Sequence, residues 1–263
     1  MIRTADKVGR MSVSAIEELG NGAVLIGQSV FWLIMGRKLG QPVRIGSVVV
    51  QMMEIGIFAI PILIMLNGAI GVMLAIQGIY TLKIFGAESR VTFGIAFAVV
   101  REFAPLITGI LIAGRTGSSL AARIGTMRIN QELDALHVMG INPVRFLVVP
   151  PLLAMLIMVP ILTFMSDIVG LMAAGLYVQF TLGISIPAFF DQVIDVLTLG
   201  DLFHGLGKSA LFAVLIAVIG VVNGASVTGG AEGVGKVTTR SVVQAISAIV
   251  LTDMLFAYLA TLG

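Results

Sequence analysis

The stretch IGIFAIPILIMLNGAIGVMLAIQGIYTL, residues 55–82, runs for about 28 residues without a charge. A helix rises ~1.5 Å per residue, so roughly 20 apolar residues already cross the ~30 Å hydrocarbon core of a bilayer. Comparable uncharged runs cover Phe146–Ser166, Ile168–Phe190 and Ser209–Ala231, and two more, Val91–Gly114 and Ser241–Gly263, are each interrupted by charge. A soluble core could not hide this much apolar surface. No segment alternates apolar and polar residues as a barrel strand does, so helices must satisfy the backbone inside lipid. The expected fold is all-α: a polytopic membrane protein of about five transmembrane helices.

Composition narrows the function classes. Of 263 residues, 58% are hydrophobic and 11% charged, with a mean hydropathy of +1.07; ordinary globular domains carry ~25% charge. This leaves no room for a separate soluble catalytic domain. A net charge of +2 is too small to suggest a nucleic-acid partner. Cysteine is absent, which excludes disulfides, thiolate metal sites and cysteine nucleophiles. Residues 1–20 are polar and basic, so no cleavable signal peptide is expected.

The distribution of Lys and Arg orients the spans. Arg115, Arg123, Arg128 and Arg145 follow the second span, and Lys236 and Arg240 precede the last. Gln179–Leu206 has no Lys or Arg but contains Asp191, Asp195 and Asp201. The basic loops are therefore expected in the cytoplasm and the acidic one outside, with Lys83 and Arg90 as a small exception. Five spans follow, at about 50–82, 91–114, 146–178, 207–229 and 240–262, with the N-terminus inside and the C-terminus outside. Leu19–Met35 is diluted by Gly20, Asn21, Gly22, Gly27, Gln28 and Ser29. Bases flank it on both sides: Arg3, Lys7 and Arg10 before, Arg37, Lys38 and Arg44 after. A span would strand one basic cluster outside; an interfacial helix keeps both near anionic headgroups. The chain thus divides into an N-terminal cytoplasmic or interfacial segment, 1–46, and a membrane domain, 47–263.

The longest hydrophilic stretch, Gly114–Pro143, is also the most patterned. Ser118–Met139 lacks Pro and carries apolar residues at helical spacing, and Gly140 with Asn142-Pro143 supplies a stop. Its polar face presents Arg123, Arg128, Gln131, Glu132 and Asp134. Two readings fit: a solvated loop helix, or a docking helix for a cytoplasmic partner.

Several separated motifs then occur in one order: Arg101-Glu102-Phe103-Ala104-Pro105, Ala113-Gly114-Arg115-Thr116-Gly117-Ser118, Glu132-Leu133-Asp134-Ala135-Leu136, Met139-Gly140-Ile141-Asn142-Pro143, Asn223-Gly224, Thr238-Thr239-Arg240-Ser241-Val242-Val243 and Asp253. From about Val48 onward the chain resembles the MlaE (YrbE-like) permeases of bacterial phospholipid-transport ABC systems, which serve outer-membrane lipid asymmetry. The resemblance implies an inner-membrane permease working as two copies, with a cytoplasmic ABC ATPase and a periplasmic MCE-domain protein that receives lipid; a STAS-type subunit accompanies many members. It implies no cofactor and no enzymatic step in this chain. It makes residues 115–145 a coupling region, with Glu132, Asp134 and Arg128 as polar contacts to the ATPase and Leu133 and Leu136 as apolar anchors. It also makes Arg101, Glu102, Asp253 and Arg240 candidates for lining or gating the lipid path.

The residues alone leave those charges open. An ion inside a span costs about 2.5–3.5 kcal/mol on insertion scales unless paired. Arg101 and Glu102 point ~100° apart on a helix, so each needs another partner or a wet cavity. Either they fix helix packing or they face the substrate path. Pro105 frees a carbonyl that a polar group could satisfy. Asp253 must be neutral or recruit Arg101, Lys208 or Arg240. Asp167, beside Ser166 and Gly170, reads as a packing residue.

Other features point to ordinary roles. Glu54 and Lys208 sit near expected span ends, where snorkelling explains them. His137 reads as a polar-face residue, and a metal site shared with His204 is not expected across the membrane. Gly230–Val237 approaches a phosphate-binding loop but has Val237 where Ser or Thr would follow the lysine, so a cytoplasmic loop is expected instead. Gly220-Val221-Val222-Asn223-Gly224 fits the small-xxx-small pattern and could join two copies. Ile62, Leu66, Met73 and Ile76 of the first span, with Leu211, Leu215 and Val218 of the fourth, supply an apolar setting for lipid chains. The alternative function is an ion-coupled secondary transporter or channel using Glu102 and Asp253, although no internal repeat supports it. An intramembrane lipid enzyme would need a nucleophile–base set or metal ligands, which the sequence does not offer.

Overall fold

The computed structural model describes residues 2–260, with side chains from Glu17 onward except Leu19; the side chains of Arg3, Lys7 and Arg10, and residues 261–263, lie outside the described residues. Those described are all-helical, without strands. α1 (Ile2–Met35), α2 (Ile45–Gly56) and α3 (Ile60–Lys83) lead into the long α4 (Glu88–Ile129). The short α5 (Glu132–Val138) precedes α6 (Val144–Leu182). α7 (Ile186–Val196), α8 (Leu199–Ala225) and α9 (Gly230–Ala260) complete the chain. Five helices, α3, α4, α6, α8 and α9, are long and apolar enough to cross a membrane. The chain is a multi-pass membrane protein.

The spans begin and end differently from their hydropathy. The first was expected from about residue 50, but residues 57–59 break it and α2 stands as a separate helix. Pro61 lies in the first turn of α3, where its missing N–H leaves no intrahelical bond unmade. The helix expected over Ser118–Met139 is two pieces. Its first half prolongs α4 to Ile129, because no proline interrupts the chain there. Gln131, in the left-handed region at φ 59°, then separates it from α5. α8 starts at Leu199 rather than near 207, nucleated by a capping box in which Thr198 and Asp201 satisfy each other's backbone N–H groups. The expected loop Gly230–Val237 is the opening of α9: Gly229 and Gly230, at φ 86° and 73°, make the turn, and Glu232–Lys236 pair at 2.7 Å across one helical turn.

α6 is the central helix, packed by α2, α3 and α8, while α4 packs on α8 and α9. Lipid supplies no hydrophobic drive between spans, so close backbone approach matters. Gly220 and Gly224 make such an approach within the chain. A Cβ on Gly224 would stand 2.7 Å from the Ala121 carbonyl oxygen of α4, and one on Gly220 3.1 Å from that of Gly117. The small-residue motif therefore joins α8 to α4 of the same chain rather than two copies. Mid-bundle, Asn67 of α3 donates to Ser166 of α6 at 3.1 Å, and Ser166 shares a 2.8 Å bond with Thr108 of α4. Asp167 beside them is buried, with Oδ1 unpartnered.

α1 runs against α8 and the start of α6. Its apolar portion, Gly20–Met35, is shorter than the crossing helices; 16 residues reach ~24 Å, short of the ~30 Å core. α5 lies at one end of the bundle and α7 at the other, and these two ends frame the site.

Candidate functional site

The centre of the charged cluster is Lys208, which snorkelling was expected to explain. Because α8 starts at Leu199, Lys208 sits nine residues inside it, ~14 Å from that end, and its side chain is 0% exposed. Its Nζ lies 2.7 Å from Glu102 Oε2 and 2.7 Å from Asp253 Oδ1, and donates to the Arg101 carbonyl at 3.0 Å. One ammonium thus ties α8 to α4 and α9. Arg101 extends to Asp201, 3.6 Å away in the first turn of α8. The cluster contains two arginine and lysine cations against three carboxylates, so the buried charges are largely compensated internally.

Local backbone chemistry prepares the site. Pro105 has no N–H to give the carbonyl four residues back, which is that of Arg101. This is the carbonyl Lys208 takes, as the sequence anticipated in kind though not in partner. Residues Ala98–Phe103 widen into a π-helical turn, with the Ala104 N–H bonded to the Val99 carbonyl; such bulges mark functional sites often. Gly205, one turn before Lys208, lets the backbones meet: a Cβ there would stand 2.3 Å from the Val100 carbonyl oxygen.

Of the four residues expected on the lipid path, Arg101, Glu102 and Asp253 come together and Arg240 stands apart. Arg240 pairs with Glu18 of α1. It lies 13 residues before Asp253 on α9, ~20 Å along the axis. Gln244 also donates to the Glu18 carboxylate at 3.0 Å and accepts from Asn223 at 2.6 Å. This network fastens α1 to α8 and α9. Sequence reasoning held Lys208 among three candidate partners of Asp253 but missed its burial and its bond to Glu102, and it missed Asp201, because Gly200, His204, Gly205 and Gly207 made the first turns of α8 resemble a loop. The available signal was a lone lysine bordering the apolar run one turn after a glycine.

At the other end, α5 exposes its charges. Arg128 and Asp134 pair at 3.3 Å, and Asn130 donates to Glu132 at 3.0 Å. The expected anchors face inward: Leu136 is buried and Leu133 packs against the bundle core. The apolar surface available to a partner is Val138, 89% exposed, and Met139. His137 is exposed beside them, as its polar-face reading expected.

The profile of the family described as Permease MlaE matches residues 48–259. The chain is 35% identical to a probable ABC transporter permease protein of the cyanobacterium Synechocystis, over 98% of this chain and 97% of that one. It is 29% identical to a probable ABC transporter permease protein of Rickettsia felis, over 98% of each. It is also 30% identical to the chloroplastic protein trigalactosyldiacylglycerol 1 of Arabidopsis thaliana, over 89% of this chain and 65% of that one. With most of its length matched by the family and by permeases of similar size, the chain belongs to the MlaE permease family and is the transmembrane permease of an ABC transporter.

Proposed function

We propose that this permease moves phospholipid between the bacterial inner membrane and a periplasmic MCE-domain carrier, maintaining outer-membrane lipid asymmetry. It acts as a pair of copies driven by separate cytoplasmic ATPases, and the α5 end faces the cytoplasm. The observation that carries this reading is the continuity of α4. One 42-residue helix links the exposed α5 to Arg101 and Glu102, so a push on α5 is felt at the ionic cluster about 40 Å away. A two-chain lipid needs an apolar path with few polar contacts. Exposed Met65, Met73 and Ile76 of α3 and a charged cluster that can meet a headgroup through partly exposed Arg101 offer that combination. The Arabidopsis relative's name, that of a galactolipid, supports a glycerolipid cargo.

The ion-coupled reading is less favoured, since Glu102 and Asp253 are both already held by Lys208. Reconstitution of the permease with its ATPase, and Glu132→Lys beside it, tests the proposal. ATP-dependent transfer of fluorescent phospholipid to an MCE acceptor is expected for the wild type. The variant should insert normally yet lose most ATPase co-purification and transfer. Transfer driven by an ion gradient without ATPase refutes it.

A further inference from the structure

At the α5 end, α2, α4 and the early turns of α6 line an open cavity of about 310 Å³ that the ionic cluster does not reach. Its polar lining comes from Gln51 and Glu54 of α2 and from Arg115, Thr116, Ser119 and Arg123 of α4. Arg115, Ser119 and Arg123 recur every four residues, so one stripe of α4 presents two guanidinium groups to one space. Arg115 belongs to a second π-helical turn, Ala113–Gly117, the counterpart of the one that carries Arg101 and Glu102. The Phe58 ring lies 5.4 Å from its guanidinium carbon and holds the side chain in place.

Arg115 Nη1 is buried and has no hydrogen-bond partner. A desolvated cationic donor without an acceptor is costly, and native structures rarely leave one so. Glu54 lines the same cavity without pairing with either arginine. Depth identifies the missing acceptor. Arg115 follows Val91 by 24 residues, ~36 Å along the helix, against a hydrocarbon core of ~30 Å. The cavity therefore lies where the phosphates of the leaflet at the α5 end lie.

We propose that this cavity binds a phosphate ester, supplied by the headgroup of a phospholipid in that leaflet. Arg115 and Arg123 hold the phosphate oxygens, the planar fork of Arg115 taking two of them. The Ser119 and Thr116 hydroxyls complete the shell. Glu54 accepts an ammonium where the headgroup carries one, which favours zwitterionic over anionic lipid. The volume suits a headgroup, and the acyl chains lie outside along exposed Ile57 and Phe58. The lipid as source rests on the phospholipid reading above, whereas the anion chemistry does not.

The test uses the complete transporter in nanodiscs of phosphatidylethanolamine, phosphatidylglycerol or a phosphorus-free galactolipid. Native mass spectrometry counts the lipid retained per permease. The wild type should retain phosphatidylethanolamine, with about tenfold weaker retention in Arg115→Gln and partial recovery in Arg115→Lys. Glu54→Gln should shift the preference toward phosphatidylglycerol. Ser119→Met, which pushes a side chain into the cavity between the two arginines and keeps both, should also lose the lipid and covers the case of a poorly assembled Arg115→Gln. Equal lipid counts in wild type, Arg115→Gln and Ser119→Met overturn the site. Binding of inorganic phosphate at millimolar concentration with no lipid retained makes free phosphate the ligand and overturns the lipid source. A complex that retains the headgroup but transfers no lipid would fail the transport reading and leave this site standing.

Discussion

Replacing Lys208 by Met removes the ammonium and keeps most of the stem. Two carboxylates then remain with no cation in contact. Their costs differ, because Glu102 is 36% exposed and Asp253 only 15%. Glu102 can turn to water and adds about 0–1 kcal/mol, as screened pairs do. Asp253 carries most of the loss, about 3 kcal/mol, the value insertion scales give an uncompensated Asp in a span. The Arg101 carbonyl, already without the Pro105 N–H, loses its donor too, which adds about 1 kcal/mol. The sum, roughly 4 kcal/mol, agrees with the 3–5 kcal/mol seen when one partner of a buried pair is removed. It corresponds to about a thousandfold in the folded-to-unfolded ratio.

For a chain of this size the loss should lower the thermal midpoint by on the order of 10 °C, read by size-exclusion profiles of heated, detergent-solubilised protein. The double variant Lys208→Met with Asp253→Leu separates stability from function. Exchanging a buried ion pair for apolar residues is often neutral or stabilising, so the midpoint should recover most of the way, while the lipid transfer proposed above should be lost in both variants. A Lys208→Met protein melting within about 2 °C of the wild type would show that the carboxylates do not depend on this lysine. The reasoning would then be wrong.

Three further outcomes follow from the same geometry. Gly205→Val should resemble Lys208→Met, since its Cβ would stand 2.3 Å from the Val100 carbonyl; the side chain forces α4 and α8 apart, and a midpoint drop of several degrees in the same assay checks it. Glu18→Gln should cost only about 0.2–1 kcal/mol, because its pair with Arg240 is partly solvated, but should speed limited proteolysis within α1 while the remaining helices stay protected. Val138→Ser should weaken ATPase co-purification more than Leu136→Ala does in proteins of equal stability, since Val138 is exposed and Leu136 is part of the bundle; the reverse order would place the docking face elsewhere.

Why some of this was legible in the sequence and some was not has a single physical root. Apolar runs such as Ile55–Leu82 announce spans because the cost of lipid contact is local to each side chain. Pairing is not local, so the partners of Glu102 and Asp253 could be narrowed to a few bases and no further. The same limit misplaced the helix boundaries. Arg115, Arg123 and Arg128 ended the second span near 114 and set the helix after it apart from α4, and Asp201 and His204 hid the first turns of α8. Each of those charges is compatible with a helix that continues past the hydrocarbon, because hydropathy reports where lipid ends and not where a helix does. The backbone signals were more informative. Pro105 predicted an unbonded carbonyl, and the structure fills it with the lysine that hydropathy had assigned to the interface. A charged side chain beside a proline-freed carbonyl and one turn from a glycine is therefore a better marker of an intramembrane site than any charge considered alone. Arg115 shares with that site only its π-helical turn and has no proline beside it; its buried, unanswered nitrogen is the separate signal on which the phosphate proposal stands.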